Sequence, residues 1–203
     1  MRQPKIDIAI LAKAPIPGYA KTRLIPAMGA HAAAVLQARL AERTVETALA
    51  SAIGSITLWC APDASHRSFR DLQKERGLTL ASQPAGDLGA RMLATMQIGA
   101  TLVIGTDCPA FTPAHLQAAA NALQGNDMVL VPAEDGGYVL IGAREPQPGL
   151  FEAIAWSTAE VAAQTRARAA ALQLTLHELP PLWDVDTEDD LARMERKFPE
   201  LKL

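Results

Sequence analysis

Four short segments of this 203-residue chain hold residues whose types and spacing could do chemistry, and each follows or borders an apolar run. Residues 12–24, A-K-A-P-I-P-G-Y-A-K-T-R-L, put Lys13, Lys21, Thr22 and Arg23 on one loop. The Lys-Thr pair invites comparison with a Walker A loop. However, Ala20 stands where the glycine before the lysine is needed, and Pro15 and Pro17 remove backbone donors that would cradle phosphates. What remains is a stiff loop that could grip a diphosphate with side chains, or a solvated basic loop. In G-T-D-C-P, residues 105–109, Asp107 directly follows an apolar strand pattern. A carboxylate there could hold Mg²⁺ or Mn²⁺ against substrate phosphates, or make an Asx turn into Pro109.

The third segment is W-D-V-D-T-E-D-D-L, residues 183–191. Glu188, Asp189 and Asp190 suit the first turn of a helix starting near Thr187, with Thr187 and Asp190 spaced as a capping box. Asp184 and Asp186 precede that helix, and in an extended segment they share one side with Val185 on the other. Two carboxylates about 4 Å apart repel by on the order of 4 kcal/mol near a surface, which a shared cation or solvent would relieve. The fourth is A-E-D-G-G-Y-V-L-I-G, residues 133–142. Asp-Gly and Gly-Gly are hairpin residues, yet Glu134 and Asp135 come straight after a buried strand, where either could hold or deprotonate a substrate hydroxyl. Asp87 and Arg91 in residues 86–92, and Trp156, Ser157 and Thr158 in residues 155–158, are further candidates for base, sugar or acceptor contacts. Cys108 reads as a small packed residue, since no neighbouring histidine would activate it.

The elements that must carry these segments alternate. Strands are expected at 6–12, 55–61, 78–82, 101–105, 128–131, 138–141 and 174–179. Helices are expected at 30–50, 65–76, within 86–99, at 112–123, 158–172 and 187–197, and residues 13–29 form a long loop. Near-continuous apolar strands alternating with helices indicate a mostly parallel sheet covered on both faces. One domain over residues 1–203 is expected, with no repeat or linker-like boundary.

Composition narrows the partners. Hydrophobic residues are 49% and charged residues 20%, as in a folded globular enzyme. A net charge of −3 argues against a nucleic-acid partner. The charges are polarised: residues 1–39 hold six Lys/Arg (Arg2, Lys5, Lys13, Lys21, Arg23 and Arg39) against Asp7, while residues 184–190 hold five acids. That polarity would suit a polyphosphate between cations and a metal, or two unrelated solvated faces. Two cysteines form no disulfide framework or zinc spacing, and no apolar run is long enough for a membrane span, so a soluble cytoplasmic protein is expected.

Taken in order, K-A-P-x-P-G-x-x-K-T-R-L, G-T-D-C-P, E-D-G-G-Y-x-L-I-G, W-S-T and D-V-D-T-x-x-D-L resemble one family. It is that of small GT-A-fold transferases, in the nucleotide-diphospho-sugar transferase superfamily, assigned to glycosyl transfer in arsenosugar biosynthesis. The chain is also similar to phospholactate nucleotidyltransferases and, more distantly, to molybdenum-cofactor guanylyltransferases. The resemblance runs nearly end to end. It implies a three-layer α/β/α sandwich, its sheet mostly parallel with one antiparallel strand, and a divalent metal, Mg²⁺ or Mn²⁺, at Asp107, Asp184 and Asp186. It further implies phosphates on Lys13, Lys21 and Arg23, and a second-substrate pocket lined by the hairpin of Asp135, Gly136, Gly137 and Tyr138. One departure matters: metal-dependent GT-A glycosyltransferases carry D-x-D at the strand end, whereas Asp107 stands alone between Thr106 and Cys108. Drawing the other carboxylates from a C-terminal D-V-D is the arrangement of related nucleotidyltransferases. The first expectation is transfer of a sugar from a nucleotide sugar to a small acceptor. The alternative is nucleotidyl transfer from a nucleoside triphosphate with pyrophosphate release, and a further alternative is a non-catalytic nucleotide-binding protein on the same fold.

Overall fold

A computed structural model of the chain describes residues 6–96 and 99–203. Arg2 and Lys5 of the basic N-terminal stretch, and residues 97 and 98 of the helical segment expected within 86–99, lie outside the described residues.

The strands are β1 (Asp7–Lys13), β2 (Ile56–Ala61), β3 (Thr79–Ser82), β4 (Thr101–Ile104), β5 (Met128–Pro132), β6 (Tyr138–Ala143) and β7 (Leu176–Glu178). The helices are α1 (Ile25–Ser51), α2 (Arg67–Arg76), α3 (Leu88–Thr95), α4 (Pro113–Gly125), α5 (Val161–Ala171) and α6 (Glu188–Lys197). The strands form one seven-stranded sheet in the order β3-β2-β1-β4-β6-β5-β7. All neighbours pair parallel except β6, which runs against both β4 and β5. The expected mostly parallel sheet with one reversed strand is therefore what the chain forms, and the turn at residues 134–137 makes the reversal.

Strand periodicity assigns the two faces. Ile8, Ile10 and Ala12 of β1 pack with Leu102 and Ile104 under α1, α2 and α4. Ala9 and Val103 face the other way, against Met92 and Met96 around α3 and Ala162 and Ala169 of α5. A third cluster, set apart from both, joins Leu24, Leu36 and Leu40 to Trp183, Val185, Met194 and Leu201. It anchors the C-terminal segment beside the N-terminal loop. Among the described residues no helix is long and apolar enough to cross a membrane.

Three differences from the expected elements have physical causes. Residues 25–28 already form a helical turn, and the break expected there falls at Gly29 alone, whose φ of 81° interrupts α1. Short 3-10 turns at Thr22–Leu24, Pro148–Phe151 and Pro199–Leu201 leave little periodicity to read in a sequence. Helix α5 starts at Val161 rather than 158, because the Thr158 hydroxyl accepts from Glu160 N–H and the segment before it turns instead of coiling. That leaves Trp156, Ser157 and Thr158 on an irregular loop.

Candidate functional site

The chain runs outward from β1 to β2 and β3 and then returns to place β4 on the other side of β1. This reversal opens a crevice beyond the carboxyl ends of β1 and β4, where open α/β sheets take ligands. Lys13 ends β1 and Asp107 follows β4, so the two flank the switch point. A cleft of about 540 Å³ lies there.

Small residues fix the basic loop. Ala12, Ala14 and Ala20 are fully buried, and Ala14 N–H donates to the Ala61 carbonyl at 2.7 Å. Alternation then turns Lys13 outward into the cleft, where it has no ion-pair partner among the described residues. Lys21 follows Ala20 in a left-handed conformation, φ 50°. Its side chain is only 3% exposed, and its ammonium lies 2.7 Å from Asp107 Oδ1 and 3.5 Å from Asp186 Oδ1. It also donates to the Val185 carbonyl at 2.6 Å. Arg23 donates to Asp186 Oδ2 at 2.8 Å.

The segment 183–186 is extended as its alternation requires. Val185 and Trp183 are buried in the third cluster, while Asp184 and Asp186 are half-buried on the other side. Val185 N–H donates to the Asp107 carbonyl at 2.9 Å, which couples this segment to the end of β4. The carboxyl of Asp184 is pushed up to about 6, first by burial and then by the charges of Asp135, Asp186 and Asp107. Carboxylates from three separate segments thus act on one another.

Among the described residues no three acidic, histidine or cysteine side chains converge closely enough to hold a metal ion as they stand. The Lys21 ammonium instead occupies the space between Asp107 and Asp186. The donor set nonetheless fits a hard divalent cation. Its side-chain donors are all carboxylate oxygens, a cationic group already sits among them, and Asp184 carries charge that its surroundings leave unneutralised.

Of the other residues singled out in the sequence, Thr22, Arg23, Asp107, Asp135, Gly137, Tyr138, Trp156, Ser157, Thr158 and Asp186 line the cleft with Lys13 and Lys21. Asp184 is not among the lining residues, and its carboxyl is linked to them through the charges of Asp135, Asp186 and Asp107. Gly136 is a structural hinge: its φ is 92°, and a Cβ there would fall 2.1 Å from the Ala159 carbonyl oxygen. This close approach presses the hairpin onto the 155–159 loop. Gly136→Ala should lower stability by about 2 kcal/mol, read by urea unfolding, because both the backbone angle and the contact resist it.

Three candidates have other partners. The Glu134 carboxylate is held by both terminal nitrogens of Arg193, at 2.6 and 3.0 Å, which keeps it below the usual carboxylate range. Arg193 in turn covers the Trp183 ring at 4.3 Å, so this pair clasps the β5–β6 turn to the start of the D-V-D segment. Asp87 caps α3 by accepting from Ala90 N–H, and the Arg91 guanidinium donates to the Gly86 carbonyl. None of these three lines the cleft. Cys108 is buried and its thiol is pushed up to about 12 by desolvation, which leaves it unreactive.

Sequence reasoning missed Gln37 and Leu88, both cleft-lining. Buried Gln37 donates to Thr106 Oγ1 at 2.9 Å and so braces the residue before Asp107. A polar residue inside the apolar stripe of Ala33, Leu36 and Leu40 was the available signal. Leu88, 44% exposed at the start of α3, left no comparable mark.

The solved structures with this architecture agree in kind. A candidate nucleotide-diphospho-sugar transferase from Desulfovibrio desulfuricans G20 is 30% identical with a TM-score of 0.86, over 95% of this chain and 87% of that one. CMP:2-keto-3-deoxy-manno-octonic acid synthetase, in complex with CTP, shares the fold at 12% identity and a TM-score of 0.61, over 97% and 99% of the two chains. So does Rv0371c of Mycobacterium tuberculosis H37Rv in complex with manganese, at 17% identity and a TM-score of 0.56, over 93% and 97%. No curated protein matches the chain. The family pattern described as "uncharacterized protein conserved in bacteria (DUF2064)" matches residues 44–158, from within α1 to the loop before α5, and the chain belongs to that family.

Proposed function

We propose that the protein is a metal-dependent transferase that moves a sugar from a nucleotide sugar to a small acceptor. The observation that carries this reading is the position of Lys21, between Asp107 and Asp186 at the switch point, in the same cleft as Lys13 and Arg23. An arrangement of cations facing carboxylates suits a diphosphate bridged to a divalent ion.

Lys13 and Arg23 bind the diphosphate, Lys13 as a point charge and Arg23 as a fork. Asp107, Asp184 and Asp186 would hold Mg²⁺ or Mn²⁺, which when bound supplies charge neutralisation to the departing diphosphate. Lys21, its ammonium engaged by Asp107, reaches phosphate only after releasing that carboxylate. Asp135 accepts from Gly137 N–H through Oδ1 at 2.9 Å, and this fixes the carboxylate at the cleft wall. It takes the proton from the acceptor hydroxyl as that oxygen bonds to the sugar's anomeric carbon. The bond from that carbon to the diphosphate breaks, and its electron pair leaves with the nucleoside diphosphate. Gln37, through Thr106, and Val185, through its N–H to the Asp107 carbonyl, brace the backbone that carries Asp107.

One observation favours a second reading, nucleotidyl transfer. Asp107 stands alone at the end of β4 and its carboxylate partner across Lys21 comes from the D-V-D segment. In that case an acceptor oxygen attacks the α-phosphorus of a nucleoside triphosphate and pyrophosphate leaves.

The test is a screen of nucleoside diphosphates, triphosphates and nucleotide sugars with and without Mn²⁺. Binding should require the cation, and a ligand at about 100 times its Kd should add about 2.7 kcal/mol and raise Tm by roughly 5–10 °C. Release of a nucleoside diphosphate from a nucleotide sugar supports sugar transfer. Sustained pyrophosphate release from a triphosphate replaces it with the second reading, and the absence of any cation-dependent shift rejects both.

A further inference from the structure

The cleft divides its charge strand by strand. Lys13, Lys21 and Arg23 stand on the β1 side, and Asp107 follows at the end of β4. The β6 side is made by Tyr138, Trp156, Ser157 and Thr158; among the described residues that line it there is no cation, and the one charge is the carboxylate of Asp135. Because β4 separates β1 from β6, these two sides are about 10 Å apart at the usual strand spacing. A diphosphate held on the β1 side leaves whatever it carries over the β6 side.

The groups offered there are those that bind hydroxyls. Among the described residues neither the Ser157 hydroxyl nor the Trp156 indole N–H has a protein hydrogen-bond partner, and both residues line the cleft. With the second oxygen of Asp135, they supply a donor, a two-way hydroxyl and an acceptor. Their placement is rigid. Trp156 stacks on Phe151 at 6.5 Å, and Gly89 is so close that a Cβ there would fall 2.6 Å from the indole. Ser157 is held at φ 65°, a left-handed conformation that a serine adopts only when its surroundings impose it. A phosphate or carboxylate in the same place would meet the Asp135 carboxylate on a side that no Lys or Arg lines among the described residues.

We propose that the β6 side of the cleft is a subsite for a neutral, hydroxylated group of hexose type, and that it discriminates against phosphorylated or carboxylated counterparts. This rests on the transferase reading above and adds the charge class of the group that the cleft selects.

The experiment measures affinity by calorimetry in Mn²⁺ for UDP, UDP-glucose and UDP-glucuronate, and for GDP, GDP-mannose and GDP-mannuronate. In at least one series the neutral hexose should bind about tenfold or more tighter than the hexuronate, and tighter than the bare diphosphate. Ser157→Gly relieves the backbone angle while removing the hydroxyl, so it should fold as well as the parent. It should weaken the hexose conjugate severalfold and leave the diphosphate within about twofold. Asp135→Asn keeps the acceptor for Gly137 N–H and removes the charge, so the hexuronate should gain. If the diphosphate binds but the hexuronate matches the hexose, or if Ser157→Gly lowers diphosphate and conjugate equally, the subsite is refuted and the transferase reading stands. If neither diphosphate binds with Mn²⁺, both fall.

Discussion

Asparagine in place of Asp184 should make the metal-free protein more stable above pH 7 and end the cation-dependent nucleotide binding proposed above. The carboxyl is raised from 3.8 to about 6 by burial and by the charges of Asp135, Asp186 and Asp107. A group whose folded-state pKa lies above its unfolded value contributes stability that is fully present below pH 3.8 and is lost as pH rises through about 6. Above that, the ionised carboxylate is a cost that the amide does not carry. Because Asp184 is only half-buried, solvent screening reduces the gain to about 1–2 kcal/mol. The advantage should shrink as pH falls below about 5, where the parent carboxyl holds its proton. Saturating Mn²⁺ should reverse the order at neutral pH, since the parent gains a ligand that the variant has lost. Affinity for nucleotide with Mn²⁺ should drop by more than about 100-fold. Parallel urea unfolding from pH 4 to pH 8, with and without Mn²⁺, checks each step. A variant that binds nucleotide as the parent does would remove Asp184 from the site.

How much of this was legible in the sequence depends on what each residue answers to. The alternation through Asp184, Val185 and Asp186 was readable because one apolar residue between two acids has a single burial solution, and Val185 is fully buried. The capping box at Thr187 was readable because capping is local: its hydroxyl accepts from the Asp190 backbone N–H three residues on. The partners of Glu134 and Lys21 were not. Arg193 lies 59 residues from Glu134, and Asp186 lies more than 160 from Lys21, and neither spacing carries a period. Adjacent acids at 134 and 135 look equivalent in the sequence. In the structure one is clasped by Arg193 and the other lines the cleft, because backbone pairing of Glu134 N–H with the Leu182 carbonyl turns the two side chains to different neighbours.

Methionine in place of Lys21 should lower stability by about 2–3 kcal/mol at neutral pH, and Mn²⁺ should restore much of the loss. Methionine keeps the length and apolar stem and removes only the charge and the donors. The Val185 carbonyl then loses its 2.6 Å donor, and Asp107 and Asp186 lose the ammonium between them. Arg23, whose side chain is 62% exposed, still pairs with Asp186 but makes no ion pair with Asp107 among the described residues. Breaking a buried ion pair by removing one member costs about 3–5 kcal/mol, and the 46% exposure of the Asp107 side chain places this case below that range. The distinctive part is the rescue. If the ammonium stands where a divalent ion would neutralise the same carboxylates, the variant should gain more from Mn²⁺ than the parent does, because the ion displaces no lysine. Adding Asp107→Asn to Lys21→Met should recover part of the metal-free stability, with a coupling of about 1–3 kcal/mol, and should abolish the rescue. Unfolding curves for the parent, both single variants and the double variant, each with and without Mn²⁺, give the whole cycle. Equal Mn²⁺ stabilisation of the parent and Lys21→Met would mean that lysine and metal do not compete for these carboxylates, and the cation site would then have to be sought elsewhere in the cleft.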